Sequence, residues 1–355
     1  MIYREAGQFK TSYAADMRIF PIRQDQIAMG VLLGLAFLVV PLVGNDYWFG
    51  AILIPFLILS LAALGLNILT GYAGQLSLGS AAFMAIGAFA AFNLMLRVQG
   101  LPVLLAFVGA GLVAAGVGIV FGLPSLRIKG FYLAVTSLAA QFFTEWVLTK
   151  FAWFTNNNPS GVISAQKIVI LGYRFDSPVR RYLLTLSIVA LLALAGKNLV
   201  RSRIGRAWMA VRDMDVAAEV IGIPMLKTKL TAFAISSFYC GVAGALWAFA
   251  YLGSVEPQAF DLARSFQILF MIIIGGMGSV LGSFLGAAFI VLLPILLNVA
   301  THALLPASMS GSLTSNLELM VFGGLIVFFL VVEPQGLARL WQIAKEKLRL
   351  WPFPH

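Results

Sequence analysis

The chain has 355 residues, 61% of them hydrophobic and only 11% charged, with a formal net charge of +10. A soluble domain carries charge on about a quarter of its residues, so this composition excludes an ordinary soluble fold and fits a polytopic membrane protein. The basic residues lie between apolar runs rather than in one patch, a placement that membrane topology explains and nucleic-acid binding does not.

Residues 1–26 form a polar leader containing Arg4, Lys10, Arg18 and Arg23. No short apolar core with a small-residue cleavage site opens the chain, so no signal peptide is expected. A spanning helix needs about 20 apolar residues. Candidate spans follow near 27–44, 48–70, 80–96, 102–124, 131–149, 181–196, 230–252, 265–280, 283–299 and 319–333. The expectation is an all-α, polytopic helical bundle of about ten spans, with eight as the lower bound. The membrane domain is 27–333 and the tail 334–355. With the N-terminus inside, most Lys and Arg residues fall on the inner side, which puts both termini in the cytoplasm. Arg180 and Arg181 count against that orientation.

Two stretches interrupt the pattern. GYAGQLSLGS, 71–80, places Gly71, Gly74 and Gly79 between two apolar runs. Residues 266–300 are apolar throughout and would run about 52 Å as one helix, too long for a bilayer. Their break is expected in GGMGSVLGS, 275–283, at Gly275, Gly276 and Gly278. Each break reads either as a tight turn between helices or as broken helix lining a transport pathway. Gly118 with Gly122, and Gly278, Gly282 and Gly286, recur at a spacing that suits close helix packing.

Polar candidates for a pathway are few. Asn67, Gln75, Ser77 and Ser80 surround the first break, with Ser80 also readable as a helix N-cap. Gln141 and Glu145 lie one turn apart in the fifth span. Glu145 is the sole good intramembrane acid, and it also reads as an interfacial residue beside Trp146 and Lys150.

The longest inner loop is 197–229. AWMAVRDMDVAAEVIGI within it has helical spacing, with Ala207, Val211, Met214, Ala218 and Ile221 on one stripe and Arg212, Asp215 and Glu219 on another. Gly222 and Pro224 stop the helix. This is a short amphipathic helix, 207–223, suited to lipid or to a cytosolic partner, and its acids favour a protein surface.

Four blocks, GLNILTGYAGQLSLGSAAFMAIGA, SLRIKGFYLAVTSLA, RDMDVAAEVIGIPMLKTKLTAF and FMIIIGGMGSVLGSFLGAAF, together resemble the branched-chain amino-acid permease family of ABC importers, in its LivM-type branch. The resemblance covers most of 48–333 and implies a multi-pass permease of a bacterial inner membrane. It implies as partners a second, related permease, two cytoplasmic ATP-binding subunits and a periplasmic substrate-binding protein docking on the outer loops, chiefly 150–180 and 300–318. Coupling to the ATPases then falls to Arg212, Asp213, Asp215, Ala217, Ala218, Glu219, Gly222 and Pro224. One departure is visible: where many such loops carry Glu-Ala-Ala, this one reads Val216-Ala217-Ala218.

The chain has no G-x-x-x-x-G-K-[ST] phosphate loop. It is expected to carry no cofactor, with ATP and Mg on its partners, and not to be an enzyme. With His302 in an outer loop, the terminal His355 and the lone Cys240, no metal site is expected. The resemblance points to leucine, isoleucine and valine. Urea or short amides and aromatic acids stay open as substrates, and an ion-coupled secondary transporter stays open as a class.

Overall fold

A computed structural model describes residues 11–12, 23–98, 100–126, 130–158, 162–166, 168–170, 173–304, 320–321, 323–324, 327–329, 331 and 335–350. Apolar runs become helices here because lipid leaves backbone N–H and C=O groups no partner outside the segment. In chain order they are α1 (Gln24–Val43), α2 (Trp48–Tyr72), α3 (Ser80–Arg97) and α4 (Val103–Gly122). Next come α5 (Phe131–Lys150), α6 (Pro178–Arg201), α7 (Arg203–Asp213), α8 (Asp215–Val220) and α9 (Met225–Leu252). The chain continues through α10 (Leu262–Gly275), α11 (Val280–Leu304) and α12 (Gly336–Leu350).

Eight of these are long and apolar enough to span a membrane, namely α1 to α4, α6, α9, α10 with its preceding turn Pro257–Phe260, and α11. The polytopic helical bundle expected from sequence is therefore the fold. α5 is a 20-residue helix that stands outside the eight, and Ser137, Gln141 and Thr144 give it a buried polar face. Of the expected tenth span, 319–333, the described residues 320–321, 323–324, 327–329 and 331 are helical, and the other seven lie outside the described residues. α11 continues to Leu304, so His302 lies in its last turns rather than in a loop.

α9 is the central helix and packs against α4, α3 and α2. Its contact with α3 is backbone to backbone: a Cβ at Gly244 would overlap the Met84 carbonyl, and one at Gly87 would overlap Gly241. Small residues permit this approach where no hydrophobic force drives helices together. We expect Gly244→Leu to abolish a monodisperse detergent-extracted species, measured by size-exclusion chromatography; an unchanged peak would mean that α3 and α9 tolerate separation. The expected glycine contacts form at Gly118 and Gly122, which face Phe233 of α9, and at Gly282 and Gly286, which face α10. Cys240 is buried at the α2–α9 contact.

The long apolar stretch resolves into α10 and α11, an antiparallel hairpin turning at 276–279. Gly276 (φ 112°) and Gly278 (φ 76°) take conformations that a side chain would strain. The described remnants of sheet are short. β1 (Ile163–Ser164) pairs with β4 (Ser254–Val255), and β2 (Val169–Ile170) with β3 (Tyr173–Arg174), all antiparallel. β1–β4 ties the loop after α5 to the end of α9.

The α7 end of the bundle gathers the segments nearest both termini. α12 packs on α10 and α11, and Lys345 of α12 bridges Asp25 of α1 at 3.0 Å. Within the tail, Gly336–Leu350 is thus an amphipathic helix bound to the bundle.

Candidate functional site: two broken helices meeting at α7

The first break begins with a π-helical last turn of α2, Ile68–Tyr72. Residues 73–79 are then non-helical, with Gly74 at φ 68°. They do not form a tight turn. Leu78 N–H donates to Ser137 Oγ of α5 at 2.8 Å. At the start of α3, Ala81 N–H donates to Ser265 Oγ at 2.9 Å and Ala82 N–H to Gln141 Oε1 at 2.7 Å. Ser265 lies ten residues before Gly275, about 15 Å along α10. The segment therefore climbs back into the bundle, and α3 starts at mid-depth.

Non-helical backbone persists at such depth only where protein satisfies it. Gln141, 1% exposed, is the clamp: its Oε1 accepts from Ala82 and from Ser265 Oγ, while its Nε2 donates to the Phe260 carbonyl at 2.8 Å. Gly79 occupies the N-cap position of α3, so Ser80 is not the cap, and its buried Oγ has no partner among the described residues. A Cβ at Gly79 would sit 2.8 Å from the Ser137 carbonyl.

Asn67 joins the two breaks. It is fully buried in α2, one turn before Gly71. Its Oδ1 accepts from Gly278 N–H at 2.8 Å, and its Nδ2 donates to Ser279 O at 2.8 Å and to Ser283 Oγ at 2.9 Å. The turn between α10 and α11 is thus held by one amide from α2. Gly71 is required in the same place, since a Cβ there would overlap Asn67 and the Gly278 nitrogen.

α7 closes this junction from outside the bundle. Arg212 Nη1 donates to the Gly71 carbonyl at 3.0 Å, and its guanidinium also pairs with Asp213 at 2.8 Å. Its side-chain stem packs on Gly74, where a Cβ would stand 2.8 Å from Arg212 Cγ. Trp208, with no exposed surface, fixes α7 to α9 by donating to Thr228 O at 3.1 Å.

The single helix expected over 207–223 is instead two, broken at Met214, which is extended (φ −159°). The break splits the apolar stripe. Val211 and Ala218 face inward, whereas Met214, Val216, Val220 and Ile221 form an exposed apolar patch. Asp215 starts α8, where a carboxylate suits the helix dipole. Gly222 (φ 87°) ends α8 in a Schellman arrangement, with Ile223 N–H on Ala218 O and Gly222 N–H on Glu219 O, both 3.0 Å. Pro224 then leads into α9. Asp213, Ala217, Glu219 and Pro224 are exposed at this surface.

The remaining sequence candidates scatter. Gln75 is 5% exposed, and neither atom of its amide has a partner among the described residues. Ser77 is buried, with its Oγ accepting locally from Gly79 N–H at 3.3 Å. Glu145 is half-buried on α5 beside the exposed Phe142, Phe143 and Trp146, and no described contact joins it to the junction. Sequence reasoning missed Ser137, Ser265, Ser279, Ser283 and Trp208. The signal for the serines was present, since each is a hydroxyl in or beside an otherwise apolar helix. Among the described residues no group of three or more His, Cys, Asp or Glu could hold a metal ion.

These features define a multi-pass membrane protein built around paired broken helices. The family described as "Branched-chain amino acid transport system / permease component" matches residues 49–330, and the chain belongs to it. That family is a transporter component and not an enzyme. The chain is 32% identical over 297 residues to the high-affinity branched-chain amino acid transport system permease protein LivM of Escherichia coli (strain K12), covering 77% of this chain and 66% of that protein. It is 25% identical over 325 residues to the probable branched-chain amino acid transport permease protein LivM of Methanocaldococcus jannaschii, covering 82% and 91%. A shorter match, 32% over 108 residues, is to the autoinducer 2 import system permease protein LsrC of Klebsiella pneumoniae, covering 29% and 31%. The chain spans just under two thirds of the E. coli relative. No solved structure matches it.

Proposed function

We propose that this chain is a permease subunit of an ABC importer for branched-chain amino acids in a bacterial inner membrane, working beside a second permease. Two ATP-binding subunits sit on the α7–α8 face, which is then cytoplasmic, and a substrate-binding protein docks at the opposite end. The observation that carries the reading is the contact of Arg212 with Gly71 O. It makes a surface helix continuous with both breaks. The exposed patch at Met214, Val216, Val220 and Ile221 is the seat for an ATPase, with Asp213 and Glu219 giving it polar edges. ATP and Mg belong to those partners. Of the expected docking loops, 159–161, 167, 171–172 and 305–318 lie outside the described residues.

In this reading Asn67, Gln141 and Ser265 are positioning residues for the broken segments. The Gln75 amide, buried and without a partner among the described residues, is the group on the first break with hydrogen-bonding capacity left for a solute. A branched-chain substrate is favoured over urea, amides or aromatic acids by the family and by both LivM relatives. The test is uptake by vesicles holding this chain with its candidate partner permease and ATPases, supplied with binding protein loaded with leucine, urea or an aromatic acid. Leucine uptake that stops without ATP is expected. Uptake by this chain alone, driven by an ion gradient, would overturn the assignment.

A further inference from the structure

At the end of the bundle away from α7, a cavity of about 380 Å³ opens between α2, α9, α10 and α11. That volume lies in the range of small-molecule sites, roughly 300–1,000 Å³. Pro55 of α2, twelve residues before Asn67, lines it, which places the cavity about 18 Å along that helix from the junction of the breaks. Arg264, at the start of α10, lines it as well. So do Glu256 and Gln267, and the two aromatic residues Trp247 and Tyr251.

The guanidinium of Arg264 is held on two sides. Nη1 donates to Gln267 Oε1 at 2.6 Å, and the group sits 4.5 Å over the Trp247 ring. The Arg264 Nε is buried with no acceptor among the described residues. Nε and Nη2 make up the edge of an arginine that meets a carboxylate with two parallel hydrogen bonds. Trp247 Nε1, on the same wall, is a second buried donor without an acceptor. Two buried donors without acceptors stand beside one cavity, and since buried donors are otherwise paired, a ligand that reaches them must carry acceptors.

The cavity also carries the opposite charge. The Glu256 side chain makes no hydrogen bond or ion pair with any described residue, and no salt bridge joins it to Arg264. Apolar wall is contributed by Leu59, Ala259, Ile290 and Val291. Pro294, inside α11, removes a backbone donor at that wall and leaves a place where the helix can bend.

The geometry points to a binding site for a zwitterionic α-amino acid with an aliphatic side chain. Arg264 takes the carboxylate, Glu256 takes the ammonium, and the Leu59–Ile290–Val291 wall receives the side chain. A charge of each sign is costly inside a bilayer and is retained where it serves a pathway. Urea and other neutral amides offer neither charge, and an aromatic acid offers only the anion. This assignment rests on the importer reading and names, within this chain, the first protein surface that the released substrate meets.

Direct binding to the assembled permease–ATPase complex, with no soluble binding protein present, tests it. Trp247 sits at the site, so quenching of tryptophan fluorescence and calorimetry are both usable. Leucine, leucinamide (no carboxylate) and 4-methylvalerate (no ammonium) are titrated into the wild-type complex, which makes one arm independent of any variant. Leucine is expected to bind at least tenfold more tightly than either analogue. In Arg264→Gln the preference for leucine over leucinamide is lost, and in Glu256→Gln the preference over 4-methylvalerate is lost, while Arg264→Lys keeps part of the first. Equal binding of all three ligands to wild type overturns the site, as does undiminished leucine selectivity in both glutamine variants. Chloride or acetate competing as well as leucine identifies a bare anion site and also overturns it. The importer reading is scored separately by ATP-dependent leucine uptake. Uptake with wild-type KM in Arg264→Gln rejects the cavity and leaves the importer standing, whereas absent uptake with any amino acid rejects the importer.

Discussion

Replacing Asn67 with leucine is expected to cost about 4 kcal/mol of stability, from two or three buried polar groups left without partners at ~1–3 kcal/mol each. The substitution keeps the shape of the side chain and removes only its hydrogen bonds. Gly278 N–H and the Ser279 carbonyl would then lose their partner in the half-buried turn, and the buried Ser283 Oγ would lose its donor. Asn67 and Ser283 are fully buried while Gly278 and Ser279 are half-buried, so water can recover only part of the loss. The loss is read from unfolding of the purified protein in mixed micelles of increasing denaturing detergent. Asn67→Asp separates the two kinds of bond. It retains the acceptor for Gly278 but gives up both donors and buries a carboxylate, so it is expected to do no better than leucine. A cost under 1 kcal/mol for Asn67→Leu would mean that glycine packing between α10 and α11 holds the turn unaided.

The helices were legible in sequence because the bilayer dictates their length, and both breaks were legible because glycine clusters interrupt apolar runs. What a break does was not legible. The stretch 71–80 reads equally as a surface turn or as a re-entrant segment, and the choice lies in residues far along the chain. Leu78 and Ala82 find their partners 59 positions away in α5, and Ala81 finds its partner 184 positions away in α10. Asn67 was visible as a rare polar group, yet its role needs the α10–α11 turn, more than two hundred residues later. Met214 was misread for a different reason. Period-3.6 spacing runs unbroken across 207–223, and only the acids on either side of Met214 hint that Asp215 starts a new helix. Arg264 carries no signal in the sequence beyond its charge. Its stacking on Trp247 depends on the β4 turn between α9 and α10, which no local pattern announces.

Arg212→Gln is expected to separate ATP hydrolysis from transport. The complex should still assemble, because the apolar patch from Met214 to Ile221 and the Trp208 anchor are untouched. Hydrolysis should continue near its wild-type rate. Uptake per ATP consumed should fall about tenfold or more, since the charge-assisted bond to Gly71 O is worth ~1.5–3 kcal/mol and carries the link between α7 and the first break. The neighbouring Asp213 serves as the control. It is 66% exposed, its pairing with Arg212 is a surface interaction of about 0–1 kcal/mol at most, and Asp213→Asn should leave coupling nearly intact. Both rates are measured in the same proteoliposomes, so that lost assembly and lost coupling give different patterns. If hydrolysis and uptake fall together in proportion, Arg212 is a docking contact and the mechanical link lies elsewhere on α8. If neither changes, movement of α7 reaches the breaks through Trp208 and α9, and the short path from Arg212 through Gly71 to Asn67 and Gly278 is structural only.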